Sequence, residues 1–413
     1  MIKNILIKNK ILTIFILILI TFYRSPYILT EGRFLAEEGQ IWYRNIFLNG
    51  QLDTLFFISY FSGYFNLSLN LAGFLSGFIP IEYAPLIFVY FSFSILIFTF
   101  IYILNSNSSL LPTTKSKYVA CMIVLFSPVM TPEIWLNTLH AMSYLGILTF
   151  LIIFENYENS KFSKINPFII ILSGLSGIYS VALTPIYFLK YYFTKNKVDL
   201  VNFLVISFCS IIQLIIIVIS KLKQEIAEDR FFISFDKVFN FIYNAILKAV
   251  FGREFLQKLI QSMNLDFLKI LSIFFLILSI IIFIREIILK KDKILLMILL
   301  ALFIQSFLVL IGSAYQDFAG GRYAVVSGVI VLFALLRLFY LYINNYKKNI
   351  IISLISFSLI MGFVEFKQLT KYPHFLACID CPNWKDEVSK WEKDRNYELK
   401  IWNYRKNTIM KLH

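Results

Sequence analysis

Two adjacent carboxylates, Glu37 and Glu38, lie in the stretch Glu31 to Asn45, directly after the first apolar run and between Arg33 and Arg44. Acids beside a bilayer are costly to keep ionised, so a pair flanked by arginines points to proton transfer or anion binding. With Phe34 to Phe47 as a helix, Glu38 falls on the apolar face, where desolvation raises a carboxyl toward the range of a general base. Glu37 falls with Arg33, Gln40 and Arg44 and stays ionised. Gly32 and Gly39 are able to break that helix and aim both acids one way, so both are candidate catalytic groups; the plainer alternative is a solvated interfacial turn.

Two further clusters join them. Glu133, Asn137 and His140 follow a short apolar run, with Glu133 and Asn137 spaced to hydrogen-bond on one helix face or, more simply, to cap it after Pro132. Asp317, Arg322 and Tyr323 precede another apolar run, and Gly320-Gly321 lets backbone approach a ligand closely. Arginine's planar, permanently charged fork suits phosphate oxygens; Asp317 either meets an acceptor or pairs with Arg322. A carboxylate base and a phosphate-binding arginine on one side of a membrane form a substrate cleft with Arg33, Arg322, Tyr323, Glu133, Asn137, His140 and Asp317 as binding residues. Nothing in the pattern names a cofactor, and a divalent metal stays open.

The elements that must position these groups are membrane helices. The 413 residues are 59% apolar, 18% aromatic and only 15% charged, with a mean hydropathy of +0.74. These values fit an all-α polytopic membrane protein and no set of soluble domains. The net charge of +14 is then an orientation signal and not a nucleic-acid footprint. Lys3, Lys8 and Lys10 precede Ile11 to Phe22 with no small-residue cleavage site after it, which reads as an uncleaved anchor with a cytoplasmic N-terminus. Counting every run as a crossing breaks the charge rule. Treating the Gly-, Ser- and Asn-rich Thr54 to Pro80 as re-entrant or surface-lying repairs it and gives about 11–12 transmembrane helices; merging Phe168 to Tyr192, read as two short helices, is the rival repair.

This topology puts a first loop (about 24–62) and a large loop (about 221–266) outside, the latter with an amphipathic helix lying in the interface from Phe235 to Val250. Residues 1–370 form the membrane domain and 371–413 a small extracytoplasmic cap, with Trp384, Val388 and Trp391 on one helix face and Tyr397, Leu399 and Ile401 alternating as a strand. Cys378 and Cys381 are a short disulfide or free thiols; Cys121 and Cys209 lie in apolar runs.

The motif Arg33, Phe34, Ala36, Glu37, Glu38 and Gly39 resembles the stretch after the first span in bacterial integral-membrane glycosyltransferases of the GT-C superfamily. The resemblance continues through Pro80-Ile-Glu-Tyr-Ala-Pro85, Gly174-Leu-Ser-Gly177, Gly321-Arg-Tyr323 and the tryptophan-rich tail; Ala-Val-Val-Ser at 324–327 departs from the family's proline-spaced continuation. It implies a GT-C-like enzyme of the bacterial inner membrane, with catalytic acids in the first external loop and a late arginine, Arg322, on a lipid phosphate. The implied partners are a polyprenyl-phosphate-linked sugar donor, a glycan, lipid or protein acceptor and membrane lipids. The family pattern favours Glu37 as the base, the helical reading Glu38. A polysaccharide polymerase or ligase would lean on the large loop, with Arg230 and Arg253; a lipid-linked glycan transporter or flippase ranks third, since the spans hold few deep polar groups and no repeat.

Overall fold

Apolar runs bounded by capping residues set the helices. The computed structural model describes residues 2–225, 234–262, 265–313, 321–367, 373–376, 381–402 and 408–413. The main helices are α1 (Ile2–Arg24), α2 (Ala84–Asn105), α3 (Thr114–Phe126), α4 (Met142–Ile152), α5 (Asn166–Gly174), α6 (Thr184–Thr194), α7 (Lys197–Leu222), α8 (Leu265–Lys290), α9 (Lys293–Gly312), α10 (Val325–Leu341), α11 (Asn345–Lys367) and α12 (Trp384–Lys393). Thr113 and Ser116 form a capping box for α3, Asn196 caps α7, and Asp292 caps α9. Among the described residues six helices are long and apolar enough to cross a membrane: Ile81–Asn105, Lys197–Leu222, Lys269–Lys290, Lys293–Gly312, Gly321–Leu341 and Asn345–Lys367. The chain is therefore an all-α, multi-pass membrane protein, and six of the expected eleven to twelve crossings are carried by helix length alone.

The inner helices are shorter. α3, α4, α5 and α6 have 13, 11, 9 and 11 residues, about 14–20 Å against a hydrocarbon thickness of about 30 Å. Every residue of α4 is buried, and α10 buries most of its circumference, so both are apolar all round. Because the inner helices stop short, irregular backbone at 56–66, 127–141 and 175–183 fills one end of the bundle.

The two ends differ in charge. At one, Lys10 reaches Asn105, Lys117 binds the Ser106 carbonyl, Lys293 lies over Phe193, and Arg337 joins the Asp292 cap to the Ser109 carbonyl. The other end holds the first loop, the irregular backbone, residues 235–262 and the C-terminal segment. Thr54 to Pro80 stays at this second end as short helices Gln51–Leu55 and Leu67–Ser76, in keeping with the non-crossing expectation. Phe168 to Tyr192 is likewise broken, around Ile178–Val181.

Three segments differ in detail from the sequence reading, and the first of them is a correction. First, Phe34 to Phe47 is not one helix: Ala36 has φ 48°, and the helix starts only at Glu38 as a π turn, Glu38–Tyr43, running into Arg44–Asn49. Gly39 breaks nothing; a Cβ there would lie 3.0 Å from both the Phe34 Cβ and Ile401. Second, Phe235–Phe251 is covered by protein on part of its circumference. Phe239, Ile242, Ala245 and Ala249 are buried, the Ala245 carbonyl faces Gly328 of α10, and Ser358 of α11 donates to the Ala249 carbonyl at 2.6 Å, so its apolar face is covered by protein. Third, the C-terminal segment packs on the first loop. α12 buries Trp384, Val388 and Trp391 as expected, and Leu399–Lys400, within the expected strand, pairs antiparallel with Ile409–Met410. Yet these share one core with Phe34, Trp42, Tyr43 and Ile46 of the first loop.

Helix α11 rests directly on the end of α3: a Cβ on Gly362 would overlap the Phe126 carbonyl oxygen. Overpacking of this kind typically costs about 1–3 kcal/mol. Gly362→Ala should lower the melting temperature of the detergent-purified protein by several degrees; an unchanged melt would contradict this packing.

Candidate active site

The first loop is shaped by what its charges bind. Arg33 is 1% exposed and donates to the carbonyls of Phe375 and, at 2.8 Å, Trp135, with its guanidinium 5.5 Å over the Trp402 ring. Burial pushes it down to about 10, opposed by Glu38. Arg33 thus ties the first loop to two other segments and is not open to substrate. Backbone pairing completes the tie: Ala36 N–H donates to the Trp402 carbonyl at 2.9 Å and Trp402 N–H to the Phe34 carbonyl at 3.1 Å.

Glu38 is equally enclosed. Its carboxylate accepts the Leu35 N–H at 3.1 Å and the Thr138 N–H at 2.6 Å. Burial pushes its pKa up to about 7, against the pull of Arg33 and the N–H groups of Leu35, Thr138 and Leu139. The raised pKa matches the expectation for Glu38, but both oxygens are spent on backbone. Glu38 is a strut between the first loop and residues 131–141, and its neighbour Glu37, one position away on the turn, is half-buried.

Residues 131–141 form successive tight turns and no helix, because Leu136 takes φ 50°. Asn137 consequently does not bond Glu133; its Oδ1 accepts the His140 main-chain N–H at 3.2 Å and so closes the turn that leads to His140. His140 Nε2 stands 3.6 Å from Glu133 Oε1, and the same oxygen is ion-paired with Arg322. Burial would raise Glu133, but His140 and Arg322 outweigh it and hold it down to about 2.

Arg322 lies on a single 3-10 turn, Gly321–Ala324, that begins with Gly321 at φ 58° and leads into α10. Its Nη2 donates to the Tyr323 hydroxyl at 3.3 Å. The Arg322 side chain is 29% exposed, which leaves part of the fork open. Glu37 is within electrostatic reach of this guanidinium, and Tyr179 is within electrostatic reach of Tyr323, Tyr64, Arg322 and Glu133. Glu37, Glu133, His140, Arg322 and Tyr323 are therefore brought together; Arg33, Glu38 and Asn137 support the group from behind. Asp317 lies outside the described residues. Among the described residues no three His, Cys, Asp or Glu side chains gather as a metal site.

Two residues that sequence reasoning passed over hold up the floor. Gln213 of α7 donates to the Phe65 and Gly174 carbonyls, each at 3.0 Å, and accepts the Phe65 N–H at 2.9 Å; Gln305 of α9 donates to the Tyr179 carbonyl at 2.5 Å. Counted along the helix axes, they lie about 14 Å and about 10 Å below the helix ends at Leu222 and Gly312. A lone glutamine within each apolar span was the available signal. Compared with family models, curated proteins and solved structures, the chain matches none.

The Glu38 pKa of about 7 lies above its ordinary 4.5, so the folded protein holds a proton that the unfolded chain releases. Glu38 therefore subtracts stability progressively as pH rises from about 4.5 to about 7, by at most about 3 kcal/mol, and nothing pH-dependent outside that window. Melting curves of the parent and Glu38→Gln across this range should diverge in slope, the parent falling more steeply toward neutral pH. Parallel curves would contradict the burial of this carboxyl.

Proposed function

We propose that the chain is a membrane glycosyltransferase that moves a sugar from a polyprenyl-phosphate donor to an acceptor hydroxyl, with Glu37 as the base and Arg322 on the phosphate. The observation that carries the reading is a half-buried carboxylate, Glu37, within electrostatic reach of a partly open, carboxylate-anchored arginine, Arg322. A lipid-linked substrate needs such a placement: its phosphate stays at headgroup level while its sugar enters a polar pocket.

In the transfer, Glu37 takes the proton of the acceptor hydroxyl as that oxygen bonds the anomeric carbon. The bond from that carbon to the phosphate oxygen breaks, and the oxygen leaves with the electron pair. Its growing charge meets the Arg322 fork, which the Glu133 and Tyr323 contacts hold in place before substrate arrives. His140, its Nε2 3.6 Å from Glu133, contributes a second polar edge for sugar hydroxyls. The basic end of the bundle supports a cytoplasmic placement for that end and an extracytoplasmic one for the cleft and both acids, in an inner-membrane protein with N-terminus inside and C-terminus outside.

Purified protein incubated with radiolabelled polyprenyl-phosphate sugars tests this. Glu37→Gln should lose about 100-fold to 10,000-fold in rate with unchanged folded yield, the usual cost of a missing general base. Arg322→Lys should retain more turnover than Arg322→Ala, since lysine keeps the charge and loses the fork. Parental turnover by Glu37→Gln would overturn the assignment.

A further inference from the structure

Asp236, Asn240 and Tyr243 follow one another at i, i+4 and i+7 and so share one side of the helical stretch from Phe235 to Leu247. With Gln257 and Gln261, at i and i+4 of the helix Arg253–Ser262, and Lys269 near the start of α8, they line a groove of about 650 Å³. Ile242, Leu247 and Leu256 are buried against Ile273 and Leu276 of α8, an apolar contact that fixes the two helices with these polar faces on one groove.

The lining is balanced in charge and holds unspent hydrogen-bonding groups. Asp236 and Lys269 pair at 3.1 Å, so the cation of the lining is already occupied. The carboxamides of Gln257 and Gln261 make no hydrogen bond among the described residues. Each offers a donor and an acceptor side by side in one plane, an arrangement that adjacent sugar hydroxyls complete. Tyr243 is half-buried and adds an aromatic body for the apolar face of a sugar ring. A phosphate or an acidic sugar finds no unpaired cation in this lining, and an apolar ligand would strand both amides. A neutral, polyhydroxylated ligand satisfies ring and amides together.

The groove also lies close to the cleft. Ala245, two positions after Tyr243 and so on the opposite side of the helix, is buried with its carbonyl against Gly328 of α10. The same turn, Ile242–Leu247, touches the Gly321–Ala324 turn that carries Arg322. The groove therefore opens one helix away from Arg322, at the same end of the bundle.

We infer that this groove binds a neutral oligosaccharide. Resting on the transfer reading above, that oligosaccharide is the acceptor chain, held through sugars upstream of the hydroxyl that reacts. Such a hold adds affinity without touching the reacting atoms, so it acts on the acceptor KM and leaves kcat alone.

Detergent-purified full-length protein, probed on an array of neutral mono- to hexasaccharides with sulfated and uronic-acid-containing chains alongside, tests this. Neutral chains longer than a disaccharide should bind, and the double variant Gln257→Leu with Gln261→Leu should bind them about tenfold more weakly, the worth of two neutral hydrogen-bonding side chains. Lys258→Gln, next to Gln257 but outside the groove lining, should bind like the parent; gel filtration confirms that each variant is folded. In the transfer assay the double variant should raise the KM for an oligosaccharide acceptor by a similar factor with kcat unchanged. No binding of any neutral chain by the folded parent, preference for the acidic chains, or parental binding by the double variant would overturn the inference. The two readings fail separately: transfer with a parental acceptor KM in the double variant removes the groove and leaves Glu37 and Arg322 in place, whereas amide-dependent glycan binding without transfer removes the chemistry and leaves the groove.

Discussion

Backbone that leaves the helix at membrane depth must find its hydrogen bonds inside the protein, because lipid supplies none. Much of this molecule's cleft end answers that constraint. The interruptions near Phe65, Gly174 and Tyr179 are satisfied by Gln213 and Gln305, reaching sideways from unbroken helices. The turns after α3 are tied by Arg33 to the Trp135 carbonyl and by Glu38 to the Thr138 N–H. Charged and amide side chains that would be expensive in lipid thus serve to make a polar hollow possible.

The same constraint divides the labour between two adjacent acids. Glu38 is committed to backbone on both oxygens, so its carboxyl fixes the distance between the first loop and residues 131–141. That strut leaves Glu37 half-buried and within reach of Arg322. The C-terminal segment reinforces it from above: Trp384 packs edge-on against Phe34 with centroids 4.9 Å apart, and Gln40 donates to the Ile409 carbonyl at 3.0 Å. A chain end hundreds of residues away in sequence therefore completes the shape of the first loop.

Much of this was legible in advance where periodicity or composition carried it. The apolar runs gave the long spans, glycine and proline marked the break near Ser176, and the spacing of Trp384, Val388 and Trp391 gave α12 its buried face. Cys381 is disulfide-bonded, in line with the short bridge considered, while Cys378 lies outside the described residues; Cys121 and Cys209 are free and buried. What periodicity missed was tertiary. A positive φ at Ala36 and another at Leu136 stop helices that their neighbours would have continued. The apolar stripe from Phe235 to Val250 was read correctly as a stripe, but a stripe is covered equally well by lipid or by protein, and here Ile242 and Leu247 pack with Leu256 and with Ile273 and Leu276 of α8. The partners of Arg33 and Glu38 are backbone atoms distant in sequence, which no local pattern encodes.

Of the two neighbouring carboxylates Glu38 is sealed and Glu37 is partly open. Carboxyl footprinting of the folded protein in detergent, with a water-soluble carbodiimide and an amine read out by peptide mass spectrometry, measures this residue by residue. The account predicts that Glu37 is modified readily while Glu38 stays unmodified until the protein is denatured. Modification of Glu38 in the folded protein at the rate of Glu37 would contradict it.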